Sequence, residues 1–163
     1  MRVLIVTTGG TIDKTYFDAK SDYEIGDSKV PEILEESNVT LDYEVLNLLR
    51  KDSLEMTDAD RELVRRTLEA RPEERVVVTH GTDTMVETAR AIQGVAGKTI
   101  VLTGSLSPAR FRNSDAVFNI GLAIGAVLSL PPGVYLAMNG RIFTPDRVRK
   151  NRERNCFEET SAA

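Results

Sequence analysis

Cysteine and histidine are nearly missing: Cys156 and His80 stand alone in 163 residues, and tryptophan is absent. One cysteine cannot close an internal disulfide or build a thiolate cluster, and one histidine cannot build a His-rich metal site. No apolar run reaches ~18 residues, so the pattern excludes a membrane-spanning helix. The first ten residues hold one arginine and a short apolar stretch, without an apolar segment and cleavage site of signal-peptide type, so a cytoplasmic location is expected. Gly9-Gly10 lacks the third glycine of a dinucleotide fingerprint, and no phosphate-loop motif G-x-x-x-x-G-K-[ST] occurs. Basic residues do not dominate: 21 Lys and Arg against 25 Asp and Glu leave a net charge of −4, which does not suit a nucleic-acid binder. Chemistry is left to hydroxyls, carboxylates and lysines, and no metal or organic cofactor is expected.

What is present is globular. Apolar residues make up 41% and charged residues 28% of the chain, and the length suits one domain over residues 1–163. Apolar runs at Arg2–Thr8, Arg75–His80, Thr99–Thr103 and Gly133–Met138 read as buried strands, and the alternation over Val39–Val45 as a half-buried one. Between them, Val30–Glu36, Asp60–Ala70, Met85–Val95 and Asn113–Leu128 read as helices. Strand and helix alternate, which predicts an α/β fold: a doubly wound, mostly parallel sheet with helices on both faces, in a single domain. The last of these helices is apolar nearly all round and must be buried in the fold or against another subunit. Residues 11–29 show no period and read as a long loop, functional or mobile. The basic run Arg147–Arg154 reads as a solvated tail or a strip meeting acidic surface on another subunit.

In open parallel sheets ligands bind beyond the carboxyl ends of the strands. Three such ends here carry hydroxyls and glycines: Thr7–Asp13, Thr79–Thr84 and Thr103–Ser105. Each has a plainer reading. Thr84 with Glu87 fits a capping box, although a helix start also points N–H groups at an anion. Lys98, just before a strand, reads either as an exposed entry residue or as a base whose proton affinity is set by its surroundings. Tyr16 and Tyr23 are loop tyrosines that either pack or close over a substrate. His80 reads as a satisfied core histidine.

Taken together the motifs resemble the type I bacterial L-asparaginase family. Thr8-Gly9-Gly10-Thr11-Ile12 matches its first signature and His80-Gly81-Thr82-Asp83-Thr84-Met85 its second. Lys98 matches the family lysine, Ser21-Asp22-Tyr23-Glu24-Ile25-Gly26 the lid, and Ser53 within Asp52–Met56 the substrate-carboxylate serine. The likeness covers this whole chain but only the N-terminal domain of the usual member, and is nearest to the unusually short forms. It implies an amidohydrolase converting L-asparagine to L-aspartate and ammonia. Thr11 would be the nucleophile and Tyr23 its lid partner, with Thr82, Lys98 and Asp83 as a triad. Gly10, Ser53, Gly81, Thr82, Asp83 and Ser105 would hold the substrate.

Two departures shape the expectation. Leu54 stands where larger members carry a glutamine, so weak binding of the head group and low glutaminase activity are expected. The second domain of those members is absent from this sequence, so an open pocket and a homo-oligomer are expected, with no nucleic-acid or membrane partner. Two other readings stay open: a non-catalytic amino-acid-binding module, and a transamidation subunit handling glutamine on a larger partner.

Overall fold

A computed structural model describes residues 1–17 and 22–161. Five strands form the parallel core: β1 (Val3–Gly9), β4 (Tyr43–Lys51), β5 (Arg75–Thr79), β6 (Thr99–Thr103) and β7 (Gly133–Met138). They lie in the order β4-β1-β5-β6-β7, and β8 (Arg141–Phe143) adds an antiparallel edge to β7. Four helices cover this sheet: α1 (Val30–Glu36), α2 (Asp58–Ala70), α3 (Met85–Ala91) and α4 (Ala116–Ser129).

Successive strand residues serve opposite faces. Leu4, Val6, Val76, Val78, Ile100 and Leu102 pack with Val64 and Leu68 of α2 and Met85, Ala89 and Ile92 beside α3. Val3, Ile5, Val77 and Val101 pack with Ile33 and Leu34 of α1 and Ile120, Ala123 and Val127 of α4. A strand buried on both faces must be apolar at every position, which is why these runs are unbroken. Helices therefore cover both faces, as the alternation predicts.

The placement of α4 has a topological result. The connections β1–α1–β4, β4–α2–β5 and β5–α3–β6 all wind in one sense. From β6 to β7 the chain steps in the same direction as from β5 to β6, yet α4 lies on the face opposite α3. That connection winds in the reverse sense, a departure from the near-universal rule for such units.

Several elements differ from the sequence reading. The strand expected at Val39–Val45 begins at Tyr43, because Leu41 and Val39 only cap the α1 face. The stretch read as an aperiodic loop holds a hairpin, β2 (Lys14–Phe17) with β3 (Asp22–Ile25), where Tyr16 faces Tyr23. The basic run is not a free tail: Val148–Asn151 forms β9, paired with β10 (Cys156–Glu159). Among the described residues no helix is long and apolar enough to cross a membrane.

Candidate active site

Three glycines bring the strand ends together. After β1 the backbone passes through positive φ at Gly9 and Gly10. A Cβ on Gly10 would lie 2.4 Å from the Gly81 nitrogen, and one on Gly104 would lie 2.2 Å from the His80 carbonyl oxygen. A Cβ on Gly81 would lie 2.6 Å from Ser53 Oγ. Glycine is needed because main chain stacks on main chain here. The stack sets Thr11 at the end of β1, Thr82 and Asp83 after β5, Ser53 after β4, and Ser105 after β6 around one carboxyl edge. This edge includes the switch point between β1 and β5, whose connections leave on opposite faces.

His80 ties this edge to the core. It is fully buried, and burial lowers its pKa to about 4. With Nδ1–H donating to the Gly81 carbonyl at 2.7 Å, Nε2 accepts from the Thr88 hydroxyl at 2.8 Å. It is a satisfied core histidine, and it polarises the peptide just before Thr82. Thr84 makes no cap: its hydroxyl donates to the Ser53 carbonyl at 2.7 Å, joining the turn at Ser53 to the start of α3.

The lysine at the site is Lys150, from β9. Its Nζ donates to Thr82 Oγ1 at 2.7 Å and to Asp83 Oδ1 at 2.9 Å. Arg152 approaches the same Asp83 oxygen at 3.6 Å, and the three charged groups line a cleft of about 260 Å³. Thr82 is almost fully buried, while the Asp83 side chain is 31% and that of Lys150 15% exposed.

Lys98 is not part of this group. Its Nζ donates to the carbonyls of Arg71 at 2.7 Å and Glu73 at 2.6 Å, at the amino edge of the sheet. The length of β6, about 17 Å at the usual rise per residue, separates the two edges. The expectation for Lys98 is therefore corrected: it fastens the chain between α2 and β5. Lys150 was missed because the run around it reads as a charged tail. The available signal was Val148, a lone apolar residue two positions earlier, which in a strand puts Lys150 on the inward face.

Other expected residues are distributed around the edge. Ser53 and Ser105 are 2% and 1% exposed. The loop carrying Ser105 is held by Asp115, which accepts N–H bonds from Leu106 at 2.9 Å and Ser107 at 3.0 Å, and by Asn119, which donates to the Gly104 carbonyl at 3.0 Å. Neither residue stood out in the sequence. Tyr23 is half exposed and packs on Tyr16 and Phe111, with ring centres 5.5 and 6.4 Å away. Together with Lys14, Asp52 and Leu54 it lines a second cleft of about 470 Å³. Ser21 of the expected lid lies outside the described residues.

Hydroxyl, ammonium and carboxylate in one hydrogen-bonded row, beside a second threonine on a glycine turn, define a hydroxyl-based site on a doubly wound α/β sheet. The family is shown by comparison: residues 2–162 match the family described as "Asparaginase, N-terminal", and the chain belongs to it. It is 32% identical over 91% of its length to a glutaminase-asparaginase of Acinetobacter glutaminasificans, and 32% identical over 92% to an L-asparaginase of Thermococcus kodakarensis. It covers 49% and 48% of those proteins, so it spans about half the length of these curated relatives. It is also 30% identical, over 86% of its length and 34% of the relative's, to a glutamyl-tRNA(Gln) amidotransferase component of Methanococcus vannielii. The solved L-asparaginase of T. kodakarensis superposes on all of this chain with a TM-score of 0.86 at 26% identity, using 52% of its own length. L-asparaginase I of Vibrio cholerae superposes on 99% with a TM-score of 0.84 at 27% identity, again using 52% of its length.

Proposed function

We propose that the protein is an amidohydrolase that converts L-asparagine to L-aspartate and ammonia. The observation that carries this reading is Lys150 bridging Thr82 and Asp83. In the proposed reaction the Thr11 oxygen adds to the carboxamide carbon and its proton passes to the departing nitrogen, so the C–N bond breaks and ammonia leaves. Water then adds to the acyl ester and restores the Thr11 hydroxyl. The Thr82–Lys150–Asp83 row is a path along which protons move to and from the reacting centre. Asp83 suits the substrate ammonium, Ser53 its α-carboxylate, and the Ser105 carbonyl its amide N–H. Tyr23 is the hydroxyl brought by the hairpin. A cytoplasmic setting is part of the same proposal.

Leu54 is 65% exposed at the mouth beside Tyr23 and offers no hydrogen bond to a head group. The longer glutamine is harder to place without that bond, so kcat/KM for asparagine should exceed that for glutamine by about tenfold or more. Ammonia release from both amides, measured side by side, tests reaction and selectivity together. Equal values would remove the argument from Leu54, and a preference for glutamine would favour a transamidation role, which the amidotransferase relative brings into view. No release, with aspartate still binding, would favour the binding-module reading.

Self-association belongs to the same proposal. Helix α4 carries no charged residue, and Val117, Phe118 and Leu128 are exposed on it, with open space outside Gly121 and Gly125. We take a second copy of the chain as the occupant of this face. Light scattering at micromolar concentration should show a dimer or larger, and Phe118→Asp should reduce it to a monomer. A monomeric parent protein would refute this.

A further inference from the structure

Asp13 is a buried carboxylate two residues after Thr11, and the reaction above does not use it. Only 2% of the residue is exposed. Its position in the chain is unusual: it stands at the entrance of the β2–β3 hairpin and receives the hairpin's exit. The Gly26 N–H, directly after β3, donates to the Asp13 carbonyl at 2.9 Å. The Lys29 N–H donates to Asp13 Oδ1 at 3.0 Å, and the Ser28 side chain lies near enough to favour the charged form of the same carboxyl group. On the other side the Asp13 N–H donates to the Gly10 carbonyl at 3.1 Å, closing the turn that carries Thr11. One residue therefore joins the Thr11 turn, the hairpin that bears Tyr23, and the start of α1.

We propose that Asp13 is a positioning residue whose ionised carboxylate holds the segment running from the hairpin's exit to the start of α1, and so fixes Tyr23 relative to Thr11. The inference rests on the amidohydrolase reading for its effect on rate. The clamp itself rests on the hydrogen bonds alone.

A plain packing role would not explain a charge here. Burial raises the Asp13 carboxyl from 3.8 to about 6, against the lowering by the Lys29 N–H, Ser28 and Arg50. The nearby cations are engaged elsewhere: Lys29 pairs with Glu32, Arg50 with Asp27, and Lys14 with Asp52 at 3.0 Å. A folded value above the unfolded one means stability that is present at low pH is lost as pH rises from about 4 through 6. The charge thus weakens the fold at neutral pH, yet it is the state that accepts the N–H bonds most strongly. Activity and stability should then respond to its removal with opposite signs.

The test uses the intact protein and Asp13→Asn, which keeps the shape and an acceptor for the Lys29 N–H. In the parent, the Lys29 amide proton resonance should titrate with a midpoint near pH 6, and this should vanish in the variant. At pH 8 the variant should melt at a higher temperature, the Tyr23 resonances should shift, and kcat should fall by about tenfold with KM changed less. The acidic limb of the parent's kcat profile, centred near pH 6, should flatten. An active parent matched by the variant in kcat across pH 5–8, or a Lys29 amide that does not titrate, overturns the proposal. If the parent releases no ammonia from asparagine, the amidohydrolase reading fails separately, and the clamp is judged by the Lys29 and Tyr23 resonances, which need no turnover. Unshifted Tyr23 resonances would refute it.

Discussion

Lys150→Met should lower kcat by roughly 10³ while leaving the fold intact, since the ammonium is removed but the apolar stem is kept. The loss is large because, among the described residues, Lys150 Nζ is the one link between the Thr82 hydroxyl at 2.7 Å and Asp83 at 2.9 Å. Without it protons lose their path through Thr82, and Asp83 keeps only the more distant Arg152 at 3.6 Å. Lys98→Met is the matched control. There two carbonyls lose a buried donor, so the fold should weaken by about 2–4 kcal/mol. The folded fraction should nevertheless turn over at close to the parent rate. Thermal melting and single-turnover ammonia release on both variants decide the assignment. A Lys98 variant as slow as the Lys150 variant would overturn it.

Thr11→Val should be the most damaging single change, with kcat down by 10³ or more, on the order of what loss of a nucleophile costs. Valine keeps the β-branched shape that the half-buried turn requires. Among the described residues no protein group pairs with the Thr11 hydroxyl, so its removal strands no donor or acceptor. KM should move little, because the proposed contacts to the head group lie at Ser53 and Asp83. If asparagine turnover in Thr11→Val stays near the parent value, the attacking oxygen must be that of Thr82 or a water it holds. Trapping an acyl-enzyme with a slow ester substrate, followed by peptide mass mapping, would then locate it.

The sequence announces the parts of this fold that are buried on both sides. Val76–Val78 and Ile100–Leu102 have no polar position because helices lie above and below them, so their apolar runs are unambiguous. Gly10, Gly81 and Gly104 stand in the three strand ends that the sequence marks out by hydroxyls and glycines, and the stacked backbones explain why glycine is needed there. What failed to show were elements with one wet face. The β2–β3 hairpin and β9 are strands of only four residues that mix charged and apolar positions, too short for a period to separate them from loop. The Lys98 assignment failed for a different reason. A residue that precedes a parallel strand sits at the amino edge, whereas the other candidates, Tyr23 of the hairpin apart, follow a strand of the sheet. Topology alone would have set it apart.

The reversed winding of the β6–α4–β7 connection also bears on how the carboxyl edge is arranged. In a uniformly wound sheet the helices part company at one place, leaving a single notch in the rim. Here the chain leaves β5 toward one face and leaves β6 toward the other, so the rim is notched again beside the first. The end of β5, with Thr82 and Asp83, therefore lies between two neighbours whose chains leave on the other face. Thr11 follows the neighbour on one side and Ser105 the neighbour on the other.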